Sequence, residues 1–488
     1  MRTSSDWKLV FGPPGTGKTT FGMNFVEAQL DAGAIPGKIA YIAFTRKAAL
    51  EARSRAQEKF DFSKDDLFWF RTIHSFCFVQ LLMEPSMMMQ KDHYAQLGDY
   101  LGIETQGSEM NEELYAASPV GDRMFFLDNL SRITQKSLRD VYEETIDDDL
   151  SYDQLVLLSK ALARYKQKHK LIDFTDLLEK YLQEGLVPPL DALFVDEAQD
   201  LSRLQWEVVK KIGERVPEKY VAGDDDQAIY RWAGASVEDF LTLPGQKTVL
   251  SHSYRLPQNV WQQALGILDE ISYRKTKEFV HNGDQGYVDW YFRPADLDLS
   301  QGDWLLLARN GYLLKEYERI CEESGFPYES PSRKPLQSSA LEAIRAWTEL
   351  GKGQSISGKR LRIVRRFHGF KMKLIDNENI YTIDDLPVNY HHWFDCFDNI
   401  SPTLREYFLA ARRQGESLLK PRIKINTIHG VKGAEADHVA VITDLAARSY
   451  YHMQNNLDDE HRVFYVAVTR AKKGLNIIQP QSRLFYDI

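Results

Sequence analysis

The sequence predicts an α/β protein built on parallel sheets, and two segments far apart in the chain carry this prediction. Residues 7 to 33 read as a short strand, a glycine-rich loop and a helix, which together form one unit of such a sheet. Residues 191 to 200, DALFVDEAQD, read as a second buried strand that runs directly into acidic residues. A compact sheet does not need so long a separation. We therefore expect further strands and an inserted subdomain between the two segments.

Size and composition set the broad class of protein. A chain of 488 residues is long enough for two to four domains. Its 43% hydrophobic and 27% charged residues are typical of a folded soluble protein, and no apolar run reaches the roughly 20 residues that a membrane span needs. The N-terminus lacks a secretory pattern, and the three cysteines are far apart. We expect a cytoplasmic protein with no membrane partner, disulfide framework or zinc site.

The glycine-rich loop has the pattern of a phosphate-binding loop. Residues 12 to 19, GPPGTGKT, fit G-x-x-x-x-G-K-[ST], with a strand before them and a helix after them. Glycines let backbone N–H groups surround phosphate oxygens, Lys18 reaches the β and γ phosphates, and Thr19 holds Mg²⁺. The alternative is an ordinary glycine turn, which the flanking strand and helix disfavour. The residues expected to bind the nucleotide here are Gly12, Pro13, Gly15, Thr16, Gly17, Lys18, Thr19 and Thr20.

The acidic pair after the second strand completes this chemistry. Asp196 follows the apolar residues of DALFVDEAQD and is expected to bind Mg²⁺, while Glu197 orients and deprotonates the attacking water. A surface acidic turn is the alternative, and an apolar strand running straight into Asp-Glu argues against it. The two segments together indicate a nucleoside triphosphatase.

Further segments occur in one fixed order and indicate a particular family. In chain order they are AFTRKAA (43–49), RTIHSF (71–76), IDFTDLL (172–178), VAGDDDQAIYRWAGA (221–235), SYR (253–255), LLLARN (305–310), NTIHGVKGAEADHV (426–439) and EHRVFYVAVTRAKKGL (460–475). With the phosphate loop and the acidic pair, they make the chain resemble the UvrD/Rep/PcrA-like branch of superfamily 1 helicases, in a compact version. The resemblance runs from residue 10 to residue 475.

The resemblance implies the fold and the roles of residues around ATP. It implies two RecA-like parallel-sheet cores in tandem, each interrupted by a mostly helical inserted subdomain, with ATP hydrolysis coupled to closure of the cores. Gln227 is similar to the residue that senses the γ phosphate, Tyr254 to the tyrosine that stacks on adenine, and Arg255 and Arg470 to the two arginine fingers. Gly433 and Glu435 fall on nucleotide-binding positions, Glu435 at the ribose. The catalytic set expected is therefore Lys18, Glu197, Gln227, Arg255 and Arg470.

The resemblance also implies a single-stranded DNA partner. The aromatic residues Phe44, Tyr230 and Trp232 fall on DNA-contacting positions, and so do Thr72, His74, Arg309, Thr427 and His429. Base stacking contributes about 1 to 3 kcal/mol per base whatever the base, so no sequence specificity is expected. Taken alone, each aromatic is more commonly a core residue and each histidine a structural one. Their clustering beside the nucleotide motifs favours the DNA role.

The expected domain organisation follows the order of the motifs. Residues 86–169 are rich in helix formers, and the stretch 353–420 contains GKRLRIVRRFHGFKMK, with seven Lys or Arg and no acid. That basic run is either a solvated helix face or a phosphate-contacting surface. In the family a larger accessory subdomain fills this place, and a short chain end after Arg470 is expected to leave no partner-binding tail or nuclease domain. We expect a first core at 1–85 and 170–250, a helical insertion at 86–169, a second core at 251–352 and 421–488, and a reduced accessory insertion at 353–420.

The sequence departs from the family pattern at several positions. The segment before the phosphate loop contains no glutamine to read adenine, so the preference for ATP over other nucleotides stays open. Thr20 and Ala233 stand where relatives commonly have arginine, and Arg46 replaces a frequent asparagine. The first two changes each remove one contact, and Arg46 returns a cation to the DNA path.

The leading hypothesis is a monomer-competent, Mg²⁺- and ATP-dependent DNA helicase. It would move 3′ to 5′ on single strands and separate duplex at single-strand/duplex junctions, with a direction that comes from the resemblance alone. The alternatives are a translocase that remodels protein–DNA complexes with a partner, and a nucleic-acid-binding protein with a vestigial ATPase. DNA repair or replication, with protein partners from those pathways, a phage or plasmid origin, and RNA as the substrate all stay open.

Overall fold

The computed structural model describes residues 6–107, 115, 118–145, 147, 149–331, 339–372 and 374–488. Contacts between Cα atoms divide the chain into two compact units. The first unit contains Met1–Asp284 and Asn456–Tyr465, and the second contains Gln285–Asn455 and Val466–Ile488. Among the described residues, no helix combines the length and the apolar composition needed to cross a membrane.

The first unit is built on a six-stranded sheet with the order β3-β2-β4-β5-β1-β6, in which every neighbouring pair is parallel. Parallel neighbours need crossover connections, and helices supply them. The elements are β1 Trp7–Phe11, α1 Lys18–Asp31, β2 Ile39–Ala43, α2 Arg46–Phe60, β3 Phe70–Thr72, α3 Ile73–Gln80, α4 Lys91–Leu101, α5 Val120–Thr134, α6 Leu138–Glu144, α7 Tyr152–His169, α8 Phe174–Glu184, β4 Ala192–Val195, α9 Arg203–Gly213, β5 Glu218–Gly223, α10 Val237–Thr242, β6 Gly245–Val249 and α11 Gln258–Asp269.

Burial explains why the central strands are apolar throughout. Every residue of β2 and β4 is buried, because helices cover both faces of the sheet. One face packs into a core around Trp206 and the other into a core around Phe194. Since all the strands are parallel, their carboxyl ends meet at one edge, and the loops that leave this edge carry the residues singled out above.

The segment between β3 and β4 contains helices α4 to α7, which have their own small core. Met124, Leu127, Leu155 and Leu158 are fully buried in it. Residues 86–169, expected to be an inserted subdomain, thus contain helices with apolar contacts of their own, and the boundaries of that subdomain stay a prediction.

The second unit contains a six-stranded sheet with the order β7-β14-β13-β8-β12-β9, again parallel at every pair. The short strands β10 and β11 form a separate antiparallel pair. The elements are β7 Tyr287–Tyr291, β8 Trp304–Ala308, α12 Leu314–Ser324, β9 Tyr328–Glu329, α13 Ser339–Gly351, β10 Ile356–Ser357, α14 Gly358–His368, β11 Ile380–Tyr381, α15 Trp393–Cys396, α16 Pro402–Arg413, β12 Ile423–Thr427, β13 Ala436–Ile442, α17 Ala447–Asn455, α18 Leu457–Val468 (which starts in the first unit) and β14 Ala471–Ile478.

The predicted fold class is confirmed, because the chain contains two parallel α/β sheets, one in each unit. Two element assignments differ from the expectation. Strand β6 lies within the expected first core and pairs with β1 in register Val10↔Thr248, but residues 251–284, expected in the second core, belong to the first unit. Helix α13, expected in the second core, buries Trp347 in the same apolar core as Phe408 of α16. The physical reason is that both segments bury their apolar residues against neighbours that the motif order does not reveal.

Candidate functional site

The glycine-rich loop connects β1 to α1 at the carboxyl edge of the first sheet. Gly15 and Gly17 have φ of 74° and 82°, a left-handed conformation that glycine adopts without strain. Gly17 is the N-cap of α1, and the first turn of the helix has no acidic residue and no side-chain cap. The N–H groups of this turn have no side-chain cap to accept them, and such a helix start suits an anion, as a phosphate site requires.

Lys18 lies over the loop. Its Nζ donates to the carbonyl oxygen of Gly12 at 2.7 Å, and a Cβ at Gly12 would collide with the aliphatic part of the Lys18 side chain. Thr16 fixes the loop from within, because its Oγ1 donates to the carbonyl oxygen of Pro13 at 2.8 Å. Thr19 is partly exposed and Thr20 is exposed at the start of α1.

The segment Ser253 to Arg255 packs directly on this loop. Ser253 Oγ donates to the carbonyl oxygen of Pro14 at 2.9 Å, and the Tyr254 N–H donates to the carbonyl oxygen of Gly15 at 2.8 Å. A Cβ at Gly15 would collide with the Arg255 side chain. The Tyr254 side chain is 75% exposed and lies about 4.0 Å from the position of a Cβ on Gly17. The predicted stacking tyrosine and one predicted arginine finger thus lie beside the loop.

Asp196 directly follows the last residue of β4, and its carboxylate accepts two hydrogen bonds. Tyr41 Oη donates to its Oδ2 at 2.7 Å, and the Glu197 N–H donates to its Oδ1 at 2.9 Å. Burial and the neighbouring Glu197 charge raise the pKa of Asp196 to about 6, while Tyr41 and Lys18 oppose the increase. Two adjacent carboxylates in a buried place favour a bound cation.

Gln227 follows β5 and is connected to Glu197 through two other residues. Gln227 Nε2 donates to Asp224 Oδ2 at 2.6 Å, and the Asp224 N–H donates to Gln199 Oε1 at 3.0 Å. Gln199 Nε2 in turn donates to Glu197 Oε2 at 2.7 Å. Glu197 itself has φ of 52°, which is uncommon for a residue with a side chain. The predicted sensor and the predicted base therefore belong to one hydrogen-bonded chain.

The three aromatics predicted to contact DNA make ring contacts in the first unit. Phe44, just after β2, lies against Tyr230 with ring centroids 5.6 Å apart. Trp232 stacks on Phe126 of α5 with centroids 5.9 Å apart and an interplanar angle of 22°. All three predicted aromatics are half-buried, so each combines packing with an accessible part of its ring. This arrangement suits a stacking platform.

Thr72 and His74 lie at the start of α3. Thr72 is the N-cap, and its Oγ1 accepts the Ser75 N–H at 3.3 Å. The His74 ring meets Phe174 edge-on, with centroids 5.5 Å apart, and Phe174 is 63% exposed. Burial lowers the pKa of His74 to about 4, so the ring is neutral at pH 7.

The remaining DNA candidates meet at the carboxyl edge of the second sheet. Thr427 ends β12 and pairs with Ala308 at the end of β8, so Arg309 follows at the same edge. His429 comes two residues after Thr427 and is half-buried. Arg309 is only 1% exposed, so its guanidinium is not at the surface in this structure.

The nucleotide candidates of the second unit have defined neighbours of their own. Arg470 is 2% exposed, and its Nε donates to the carbonyl oxygen of Val466 at 2.9 Å. Glu435 is exposed and forms an ion pair with Lys472 at 2.6 Å, and Gly433 is exposed with φ of 83°. Their roles toward ATP stay predictions of the resemblance.

The basic run forms α14 and the loop after it, with Lys373 outside the described residues. Arg360 is paired with Glu342 and Glu349 of α13. Arg362 and Arg365 donate to carbonyl oxygens of the following loop. Arg360, Arg362 and Arg365 are therefore engaged within the protein, which leaves fewer cations of this run for phosphates than the sequence suggests.

Sequence reasoning missed several residues that the structure adds to the site. Tyr41 and Gln199 hold Asp196 and Asp224, and Phe174 adds an exposed ring beside His74. Phe174 and Gln199 lie within the quoted segments IDFTDLL and DALFVDEAQD, whereas Tyr41 lies outside every quoted segment. Within the described residues, no group of three or more His, Cys, Asp or Glu has a geometry that could hold a metal ion. A magnesium ion here would rely on hydroxyl, phosphate and water oxygens besides Asp196.

The phosphate loop after β1, the carboxylates after β4 and the glutamine after β5 have the arrangement typical of phosphate-loop nucleoside triphosphatases. Comparison with known families gives the particular group. Residues 2–247 match the UvrD/REP helicase N-terminal domain, and residues 128–482 match the UvrD-like helicase C-terminal domain. The chain belongs to the UvrD/REP helicase family, and the family prediction is confirmed.

Individual relatives are distant but extend along the chain. The ATP-dependent DNA helicase PcrA of Bacillus subtilis is 26% identical over 62% of this chain and 43% of its own length. A probable DNA helicase of Mycoplasma pneumoniae is 24% identical over 96% of this chain and 80% of its own length. A probable DNA helicase II homolog of Mycoplasma genitalium is 23% identical over 98% and 85%. The chain thus spans less than half of the Bacillus relative and most of the two Mycoplasma relatives.

Proposed function

We propose that this protein is an ATP-dependent DNA helicase that moves 3′ to 5′ along single-stranded DNA and separates duplex ahead of it. One observation carries the proposal: the phosphate loop, Asp196 with Glu197, and Gln227 leave neighbouring strands at one sheet edge, and Phe44 and Tyr230 leave the same edge beside them. Nucleotide chemistry and a stacking surface thus share one set of loops.

The residues present suit Mg²⁺ and ATP. The loop offers left-handed glycines and an uncapped helix start, and Thr19 and Asp196 offer the hard oxygen donors that Mg²⁺ prefers. When bound, ATP and Mg²⁺ supply the phosphoryl group to be transferred and a charge that withdraws electrons from it. Lys18 contributes a cation at the phosphates, and Tyr254 contributes an exposed ring face for the base.

Proton transfer is assigned to Glu197. Gln199 donates to one of its carboxylate oxygens at 2.7 Å and thereby restricts the orientation of the carboxylate, as a general base requires. Gln227 is held by Asp224 and connects this chemistry to Tyr230, three residues further on. We propose that this short connection lets DNA on the aromatic residues change the rate of hydrolysis.

The DNA path in the first unit is proposed to include Phe44, Tyr230, Trp232 and His74, with Phe174 as an additional stacking face. The Phe174 ring is 63% exposed and lies edge-on against His74, so it offers an accessible face for base stacking. A neutral His74 contacts a base or a sugar by hydrogen bonding and packing, without contributing charge.

A second candidate function is a translocase that displaces proteins from DNA without opening duplex. The contacts of α14 favour it, because Arg360 is neutralised by two glutamates and Arg362 and Arg365 are engaged with backbone. Fewer cations then stay available for the phosphates of a duplex. This candidate shares the ATP site and the single-strand path with the first.

Strand separation tests the proposal. Purified protein with ATP and Mg²⁺ is given matched duplexes with either a 3′ or a 5′ single-stranded tail, and ATP hydrolysis is followed in parallel. We expect only the 3′-tailed duplex to open, and Lys18→Ala to abolish both opening and hydrolysis. Lys64→Ala removes an exposed lysine elsewhere in the first unit and is the matched control.

Each outcome has a defined meaning. Opening of the 5′-tailed duplex alone would contradict the direction, and normal hydrolysis by Lys18→Ala would contradict the assignment of the phosphate loop. Hydrolysis stimulated by single strands, with neither duplex opened, would favour the translocase.

A further inference from the structure

A buried cluster of charges lies directly behind Gln227. Asp224, Asp225 and Asp226 are each 0% exposed, and they follow one another at the end of β5. Three adjacent buried carboxylates are strongly unfavourable unless cations compensate them. The compensation comes from residues about 50 positions further along the chain.

Lys277 contacts all three aspartates. Its Nζ lies 2.7 Å from Asp224 Oδ1, 2.6 Å from Asp225 Oδ1 and 2.8 Å from Asp226 Oδ2, and its side chain is 2% exposed. Burial alone would lower the pKa of Lys277, but the three carboxylates raise it overall, so the lysine stays charged. The three donors of one ammonium group thus serve three acceptors.

Neighbouring residues fix the same cluster from the same side. Arg274 forms a two-pronged pair with Asp226 through Nε and Nη2, both at 2.7 Å. The Lys275 N–H donates to Asp225 Oδ2 at 2.7 Å. Arg274, Lys275 and Lys277 therefore all bind the acidic turn formed by residues 224–226.

Asp224 connects Lys277 to Gln227, because it binds both side chains. Lys277 occupies Oδ1 of Asp224, and Gln227 Nε2 donates to Oδ2 at 2.6 Å. A carboxylate only accepts hydrogen bonds, so the amide nitrogen of Gln227 must face Asp224. The amide oxygen of Gln227 is then turned away from Asp224. The backbone N–H of Asp224 also donates to Gln199, which holds Glu197.

We propose that Lys277 is a positioning residue for ATP hydrolysis, which acts by holding Asp224 so that Gln227 presents its amide oxygen to the reacting phosphate and water. This inference rests on the proposed function of Gln227. The sequence motifs do not indicate it, because Lys277 lies in the irregular stretch between α11 and β7, outside every quoted segment. Lys277 does not touch the reacting atoms.

The test compares single and double variants in DNA-stimulated ATP hydrolysis. Lys277→Met should lower kcat by about tenfold or more and leave KM for ATP within about threefold, since the contact acts on orientation in the transition state. Gln227→Ala should lower kcat as well. The double variant should be no slower than Gln227→Ala alone, because both changes act through one side chain.

Lys166→Met is the matched control for a purely structural loss. Lys166 is also a buried lysine, 11% exposed in its side chain, and it pairs with Asp173 and Asp176 in the same unit. Its loss should lower the free energy of unfolding without lowering kcat selectively. If Lys277→Met does not fold, Lys277→Met with Asp225→Asn keeps the charge balanced while still removing the Asp224 contact. Lys277→Arg should recover part of kcat.

The outcomes separate this inference from the function on which it rests. A wild-type protein that hydrolyses no ATP in response to single-stranded DNA would overturn both. An active wild type combined with an unchanged kcat in Lys277→Met, or with independent, multiplying losses in the double variant, would overturn the role of Lys277 alone.

Discussion

Among single side chains, His74 gives the site its clearest dependence on pH. Its ring is half-buried against Phe174, and burial lowers its pKa to about 4 from an ordinary value of 6.5. As pH falls, the unfolded chain therefore binds a proton before the folded chain does. The contribution of neutral His74 to the free energy of unfolding is fully present above about pH 7. It is lost progressively as pH falls from about 6.5 toward 4.

Replacing His74 should flatten this profile. Between pH 7 and pH 5 we expect the wild-type protein to lose about 1 to 2 kcal/mol more free energy of unfolding than His74→Gln does. Urea unfolding at the two pH values measures the difference. Equal losses in the two proteins would show that His74 is not the buried neutral group assigned here.

Single residues also show where sequence reasoning succeeds and where it stops. Lys18, Asp196 and Gln227 could be predicted because each follows a strand in a recognisable order. Tyr41 and Lys277 could not, because they reach Asp196 and Asp224 from segments about 155 and 53 residues away. Strand order and side-chain length decide which residues contact Asp196 and Asp224, so no local sequence pattern reveals these residues. Neutralising cations for a run of aspartates can be expected in general, but their positions cannot.

At the level of elements, two glycines with the same left-handed backbone differ in their surroundings. Gly15 lies in the phosphate loop, and Gly33 lies just after α1. Gly15 has φ of 74°, and a Cβ there would also collide with Arg255 and come within 2.8 Å of Ser253 Oγ. Gly33, just after α1, has φ of 91° with nothing within 4 Å of a Cβ. The two positions share the backbone conformation and differ in the space around it.

Alanine at these positions should separate backbone strain from crowding. Gly33→Ala should cost about 1 kcal/mol of unfolding free energy and keep ATP hydrolysis, since only the left-handed conformation is penalised. Gly15→Ala should cost more and lower ATP hydrolysis strongly, because the loop and the Ser253 to Arg255 segment must move apart. Chemical denaturation and steady-state kinetics measure both effects. Equal behaviour of the two variants would contradict the close packing on the loop.

Strands β1 and β4 were predictable because their apolar residues run directly into a glycine-rich loop and an acidic pair. The core to which a segment belongs was less predictable, as residues 251–284 and α13 show. Residues 251–284 belong to the first unit, and the apolar face of α13 packs with α14 and α16. An amphipathic pattern shows that a face is buried and does not identify its neighbour.

In the molecule as a whole, the apolar contacts form separate cores. The sheet of the second unit packs around residues such as Leu306 and Ile425, while Trp347, Leu361 and Phe408 belong to the core of the accessory insertion. Trp347 is fully buried, and its Nε1 donates to the carbonyl oxygen of His391 at 2.8 Å. A substitution that destabilises one core should therefore have little effect on the stability of the others.

Removing the Trp347 side chain should destabilise the insertion locally. Trp347→Ala should cost about 3 to 5 kcal/mol in that core. Hydrogen exchange read by mass spectrometry should then accelerate within 339–372 and 374–418 and change little in the first sheet. Trp290→Ala, at a side chain that is 49% exposed, is the control and should have a small effect. Acceleration spread evenly over the chain would contradict separate cores.

The short segment Asn456–Tyr465 has a consequence for the order of events during protein synthesis. It belongs to the first unit, where Asp458 accepts the N–H groups of Ser272 and Tyr273, and Arg462 donates to the carbonyl oxygen of Asp225 at 3.0 Å. The ribosome makes this segment roughly 170 residues after Asp284, which takes roughly 10 to 30 s at about 5 to 20 residues per second. Until then the nascent first unit lacks the donor that Arg462 provides to the Asp225 backbone, so this unit acquires these native contacts only after residues 285–455 have been made.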